Sequence, residues 1–95
     1  MFPDGFEWDP RKADANLAKH GVDFAAAAAI FDGPVLQRLD GRREYGEARI
    51  IAVGGNEGVC LTIVYVRRGQ NRRIISARPA SRAERQAWLA AGRSH

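Results

Sequence analysis

The sequence has one cysteine, Cys60, and so no route to an internal disulfide. It stands in the apolar run VCLTIVYV, where a thiol serves as a small buried hydrophobe. No apolar run approaches the roughly 20 residues a membrane helix needs, so no membrane association is expected. The opening MFPDGFEWDP has neither the basic nor the apolar segment of a secretory leader, and the expected location is the cytoplasm. Metal-ligand patterns are missing too. The two histidines, His20 and His95, stand far apart, and neither HExxH nor CxxC occurs, so no metal or other cofactor is expected. The absence of GxSxG removes the usual serine-hydrolase arrangement. The glycines at 54–58 fall between two strand-like runs with no helix after them, so they do not make a phosphate loop. Aromatics are scarce where an RNA-recognition sheet needs them, and only Tyr65 is available.

What is abundant is arginine, and it is unevenly placed. The stretch YVRRGQNRRIISARPASRAE, residues 65–84, holds Arg67, Arg68, Arg72, Arg73, Arg78 and Arg82. Residues 1–66 carry seven positive and ten negative groups, whereas residues 67–95 carry eight positive and one negative. The formal charge of +4 therefore conceals a strong internal polarity. Guanidinium groups match phosphate oxygens bidentately, so a concentrated arginine surface points to phosphate. With a hairpin loop at Arg68–Asn71, Arg67 lies opposite Arg72, and pairing continues as Tyr65/Ile74, Ile63/Ser76 and Leu61/Arg78. Period-two alternation then gathers Arg67, Arg72 and Arg78 on one sheet face, with Tyr65 and Ser76 between them. The competing reading is a solvated hairpin whose arginines keep a sheet edge soluble.

The rest of the chain frames that stretch. Phe6–Trp8 alternates like a short strand. Asp9-Pro10 opens a helix that should run to His20 and end at a left-handed Gly21. Asp23 precedes a second helix with Phe24, Ala28 and Phe31 on one side, stopped by Asp32-Gly33-Pro34. Strands are expected at Val35–Leu39, Arg49–Val53, Val59–Val66 and Arg72–Ala77, separated by glycine-rich breaks. Ser81-Arg82-Ala83-Glu84 has the capping-box pattern, and a last helix follows with Trp88 and Leu89 as anchors. The order βααββββα predicts one α+β domain over residues 1–95, with a largely antiparallel sheet and helices on one face.

His20 falls between the polar and apolar stripes of its helix, in the last turn. It can either reach a groove as a proton-transfer group or interact only with the terminal carbonyls. Glu47, in GEARIIAVG, is the carboxylate nearest the basic sheet in sequence. It reads either as a base or as the salt-bridge partner of an arginine.

Three stretches together carry a family resemblance: FEWDPRKADANLAKHGVDF at 6–24, GEARIIAVG at 46–54 and IISARPASRAER at 74–85. The chain resembles the BrnT family of type II toxin–antitoxin ribonucleases over nearly its whole length. The resemblance implies a compact RelE-like α+β fold, toxic cleavage of RNA, and inhibition by a BrnA-like antitoxin. That antitoxin would assemble with the toxin into a DNA-bound heterotetramer. The KHG motif falls on Lys19, His20 and Gly21, the basic strand-end positions on Arg67 and Arg78, and the following arginine on Arg82. Pro79 stands where the family often has lysine, and Trp88 where it often has tyrosine.

The expected activity is metal-independent cleavage of RNA by its own 2′-OH. Lys19, His20, Arg67 and Arg78 are the expected catalytic groups, and Glu47 a second acid or base. Arg72, Arg82 and Tyr65 are expected to bind the RNA. The alternative is a non-catalytic module that binds nucleic acid or antitoxin within a repressor complex.

Overall fold

A computed structural model describes residues 2–40 and 48–93. Strand β1 (Phe6–Glu7) leads into helix α1 (Pro10–His20), and the short helix α2 (Phe24–Ala27) tightens into a 3-10 segment over Ala28–Asp32. Strands β2 (Val35–Leu39), β3 (Ile50–Asn56), β4 (Val59–Arg68) and β5 (Asn71–Pro79) follow, then helix α3 (Arg82–Arg93). The α1 boundaries have the expected causes. The Asp9 carboxylate accepts from Arg11 N–H, proline occupies the first turn, and Gly21 ends the helix at φ 72°.

The sheet runs β1-β5-β4-β3-β2. The last four strands form an antiparallel meander, and β1 adds to β5 in parallel, so the sheet is mixed. The break expected at 54–58 is smaller than the sequence suggested. Gly54, Gly55 and Asn56 belong to β3, and only Glu57-Gly58 turn, both at positive φ as a tight hairpin requires. The two glycines in the strand serve close approach. A Cβ on Gly54 would stand 2.9 Å from Val35 and 3.0 Å from Ile30, and one on Gly55 would stand 2.8 Å from the Trp88 ring.

Those neighbours also separate the two faces. Ile30 belongs to the N-terminal helical layer and Trp88 to α3, and adjacent strand residues point to opposite sides. The helices therefore sandwich the sheet, in place of the single covered face that the sequence suggested. Under α1, α2 and the 3-10 segment lies the core of Phe24, Ala27, Ile30, Ala52, Leu61, Ile63, Tyr65, Ile74 and Ala77. On the opposite face α3 packs across β2 and β3, with Trp88 Nε1 donating to the Pro34 carbonyl at 2.9 Å.

One side chain joins α1 to the sheet. β1 covers β5 only at Arg72 and Arg73, leaving the outer edge open beyond them. Asn16, 7% exposed, closes that edge. Its Nδ2 donates to the Ala77 carbonyl (2.7 Å) and the Val22 carbonyl (3.0 Å), and its Oδ1 accepts from Ala77 N–H (3.1 Å). The amide thus does for Ala77 what a neighbouring strand would do.

Candidate nucleic-acid interface

The β4–β5 hairpin turns at Gly69-Gln70 and begins in the expected register, Arg67 opposite Arg72 and Tyr65 opposite Ile74. A bulge then intervenes. Beyond Tyr65 the pairing resumes as Val64/Ser76, Ile63/Ala77 and Thr62/Arg78, leaving Ile75 as the extra residue of β5. An inserted residue reverses which side every later side chain faces. Arg67 and Arg72 therefore share the Tyr65 face, while Ser76 and Arg78 lie on the α3 face. The expected row of three arginines on one face does not form. Five residues of strand also lie between Arg72 and Arg78, which puts them roughly 20 Å apart along β5.

Arg78 has a specific partner instead. Its Nη1 and Nη2 donate to the two Glu84 carboxylate oxygens at 2.7 and 2.9 Å. Glu84 also accepts from Ser81 N–H (2.8 Å) and the Thr62 hydroxyl (3.1 Å), and Ser81 Oγ accepts from Glu84 N–H (3.1 Å). This is the expected capping box with an arginine clasped to it. The Arg78 hydrogen bonds hold the Glu84 carboxyl down at about 2, with the Ser81 N–H and Thr62 adding to the effect and partial burial opposing it. The clasp fixes α3 to the sheet and leaves Arg78 largely neutralised.

At the hairpin end the arrangement differs. Tyr65 is 1% exposed and donates its phenolic proton to Gln37 Oε1 across β3, so its hydroxyl is not the open RNA contact that the sequence suggested. The Arg72 guanidinium lies 4.3 Å from the centroid of Phe31 and within 6 Å of the Tyr65 and Phe6 rings. Its Nε is buried with no hydrogen-bond partner. Arg67 is exposed, 5.9 Å from the Tyr65 ring. It lines a shallow pocket of about 380 Å³ with Gln37, Arg38, Leu39, Ile50 and Tyr65. Arg73, on the α3 face, is paired with Glu7 at 2.8 Å.

The remaining expected site residues stand elsewhere. α1 starts beside the Arg73 end of β5 and reaches Ala77 through Asn16, so its last turn lies toward the Arg78 end. Lys19, exposed, and His20, half-buried, are in that turn. His20 makes no side-chain hydrogen bond or ion pair among the described residues. Arg82 is exposed in the first turn of α3. The residues named from sequence thus fall into two groups, Arg67, Arg72 and Tyr65 at the hairpin end, and Lys19, His20, Arg78 and Arg82 toward the other. Glu47 lies outside the described residues. Gln37 escaped the sequence reading because an alternating edge strand gives no sign of which polar residue meets a neighbour. Burial pushes the Cys60 thiol up, the opposite of an activated thiolate.

The family model described as "Ribonuclease toxin, BrnT, of type II toxin-antitoxin system" matches residues 8–84. The chain belongs to the BrnT toxin family. Comparison with curated proteins gave no match. The family match makes the chain a ribonuclease toxin of a type II toxin–antitoxin system, acting on RNA and countered by an antitoxin. It spans both groups of basic residues, so the choice between the two ends of the toxin's sheet rests on geometry. No described helix is long and apolar enough to cross a membrane.

Proposed function

We propose that the toxin cleaves RNA without a metal ion, at the hairpin end of the sheet, with Arg67 as the cation on the scissile phosphate. The observation that carries this reading is the pocket beside Tyr65. There Arg67 is exposed at a concavity and held over a ring, while Arg78 is committed to Glu84. In the reaction the 2′-oxygen bonds to the adjacent phosphorus and the bond to the 5′-oxygen breaks. The products are a 2′,3′-cyclic phosphate and a free 5′-OH. Water takes the 2′-OH proton, and water supplies the proton to the departing 5′-oxygen. Arg67 stabilises the charge that develops on the phosphorane oxygens. Lys19, His20 and Arg82 bind the same strand away from the cut.

The rest of the reading follows the family: a RelE-like fold, cytoplasmic action that halts translation, and a BrnA-like antitoxin that masks the basic surface in a DNA-bound heterotetramer. The test is cleavage of an end-labelled RNA in EDTA, with the new ends analysed. The reading expects full activity and cyclic phosphate ends. Activity lost in EDTA and restored by Mg²⁺ contradicts it.

A further inference from the structure

Among the described residues, the polar side chains free to meet a ligand at the pocket beside Tyr65 present donors. Arg67 carries donors and no acceptor, whereas Arg38, next to Gln37 on β2, turns its side chain to the α3 face. Gln37 would ordinarily offer one of each, and such a side chain pairs with adenine through its N6 and N7. Here its Oε1 is already engaged by the phenolic proton of Tyr65. That phenol is 1% exposed, and its ring stands edge-on to Phe31 at 5.6 Å. Rotating the Gln37 amide would leave a buried hydroxyl proton without an acceptor, which is costly. Gln37 therefore presents its NH₂ group. Leu39, 66% exposed, and half-buried Ile50 add apolar wall against which a planar ring can lie.

We infer that this pocket reads a base of the RNA and selects guanine, an assignment that rests on the ribonuclease reading above. Guanine presents N7 and O6, two adjacent acceptors with no donor between them, to an array of donors. Adenine and cytosine would each turn an amino group toward Gln37 and Arg67, donor against donor. Single-stranded RNA offers its bases unstacked, so a shallow pocket on an open sheet edge suffices. The donors would also suit a phosphate, which every nucleotide carries. Base preference is what separates the two ligands.

The test uses the whole protein and 2′-deoxy oligonucleotides of equal length that differ at one base or lack it, with binding followed by fluorescence anisotropy. The guanine oligonucleotide should bind about tenfold or more tightly than its adenine counterpart. Gln37→Glu, which replaces the donor by an acceptor at an exposed position, should abolish or reverse that preference. Tyr65→Phe, which frees the amide to rotate, should narrow it. Equal affinity for all four bases and the abasic strand shows phosphate binding alone and overturns the inference, as does a guanine preference unchanged in Gln37→Glu. The all-RNA versions separate this inference from the reading beneath it. Cleavage indifferent to guanine sinks the inference alone, whereas guanine-selective binding with no cleavage sinks the ribonuclease site and leaves the pocket.

Discussion

Asn16 shows how much a single side chain can do without announcing itself. In the sequence it belongs to the polar stripe of α1 and reads as solvent-facing, yet it is buried and makes three hydrogen bonds to backbone. Asn16→Ala leaves Ala77 N–H, the Ala77 carbonyl and the Val22 carbonyl without partners. At about 1–3 kcal/mol for each unsatisfied group, and with water reaching some of them, the expected loss is about 2–4 kcal/mol. Urea unfolding measures it. A loss below half a kcal/mol would mean that the amide does not hold the sheet edge. The burial of Tyr65 is illegible in the sequence for a related reason. Alternation placed it on the correct face, but alternation does not say whether that face is covered. Phe31 and the helical layer cover it.

At the scale of elements, the sequence was most legible where a boundary has a local cause. The Asp9 cap, the Gly21 stop, the limits of β2 and the Ser81–Glu84 box depend on two to four neighbouring residues, and all are present. The bulge has no such cause. Ile74 and Ile75 are both apolar, so period-two counting passes through them without a signal, and the face of Arg78 is lost at that step. The α3 position was illegible because it depends on Gly55 making room for Trp88 across more than thirty residues.

The Arg78–Glu84 clasp gives the element-scale prediction. Glu84 is held at about 2 against an ordinary value of 4.5, so its stabilising contribution is complete above pH 4.5 and disappears as pH falls toward 2. Glu84→Gln should cost about 1–2 kcal/mol at pH 7, after allowance for solvent around Arg78. The gap between wild type and variant should close by about pH 2. Unfolding curves at pH 7, 4 and 2.5 report it, and a gap that stays constant with pH would mean that the pair contributes nothing through its charge.

For the molecule as a whole, the charge asymmetry written in the sequence becomes a sheet with basic groups toward both ends. Composition revealed the arginine excess. It could not reveal that Glu7 and Glu84 each neutralise one arginine and leave Arg67 exposed at a pocket. With His20 near the far end of β5, His20→Ala should raise KM for RNA several-fold and leave kcat within about twofold, the signature of lost strand binding. A collapse of kcat at unchanged KM would return the imidazole to the cleavage step.

The most direct measurement is the single-turnover rate of RNA cleavage by Arg67→Ala and Arg78→Ala, compared at equal concentrations of folded protein. Arg67→Ala should keep wild-type stability and cleave about 100-fold more slowly or worse. Arg78→Ala should lose stability and keep its rate per folded molecule. A folded Arg78→Ala that cannot cleave, beside an Arg67→Ala that cleaves at full rate, would place the reaction at the opposite end of the sheet.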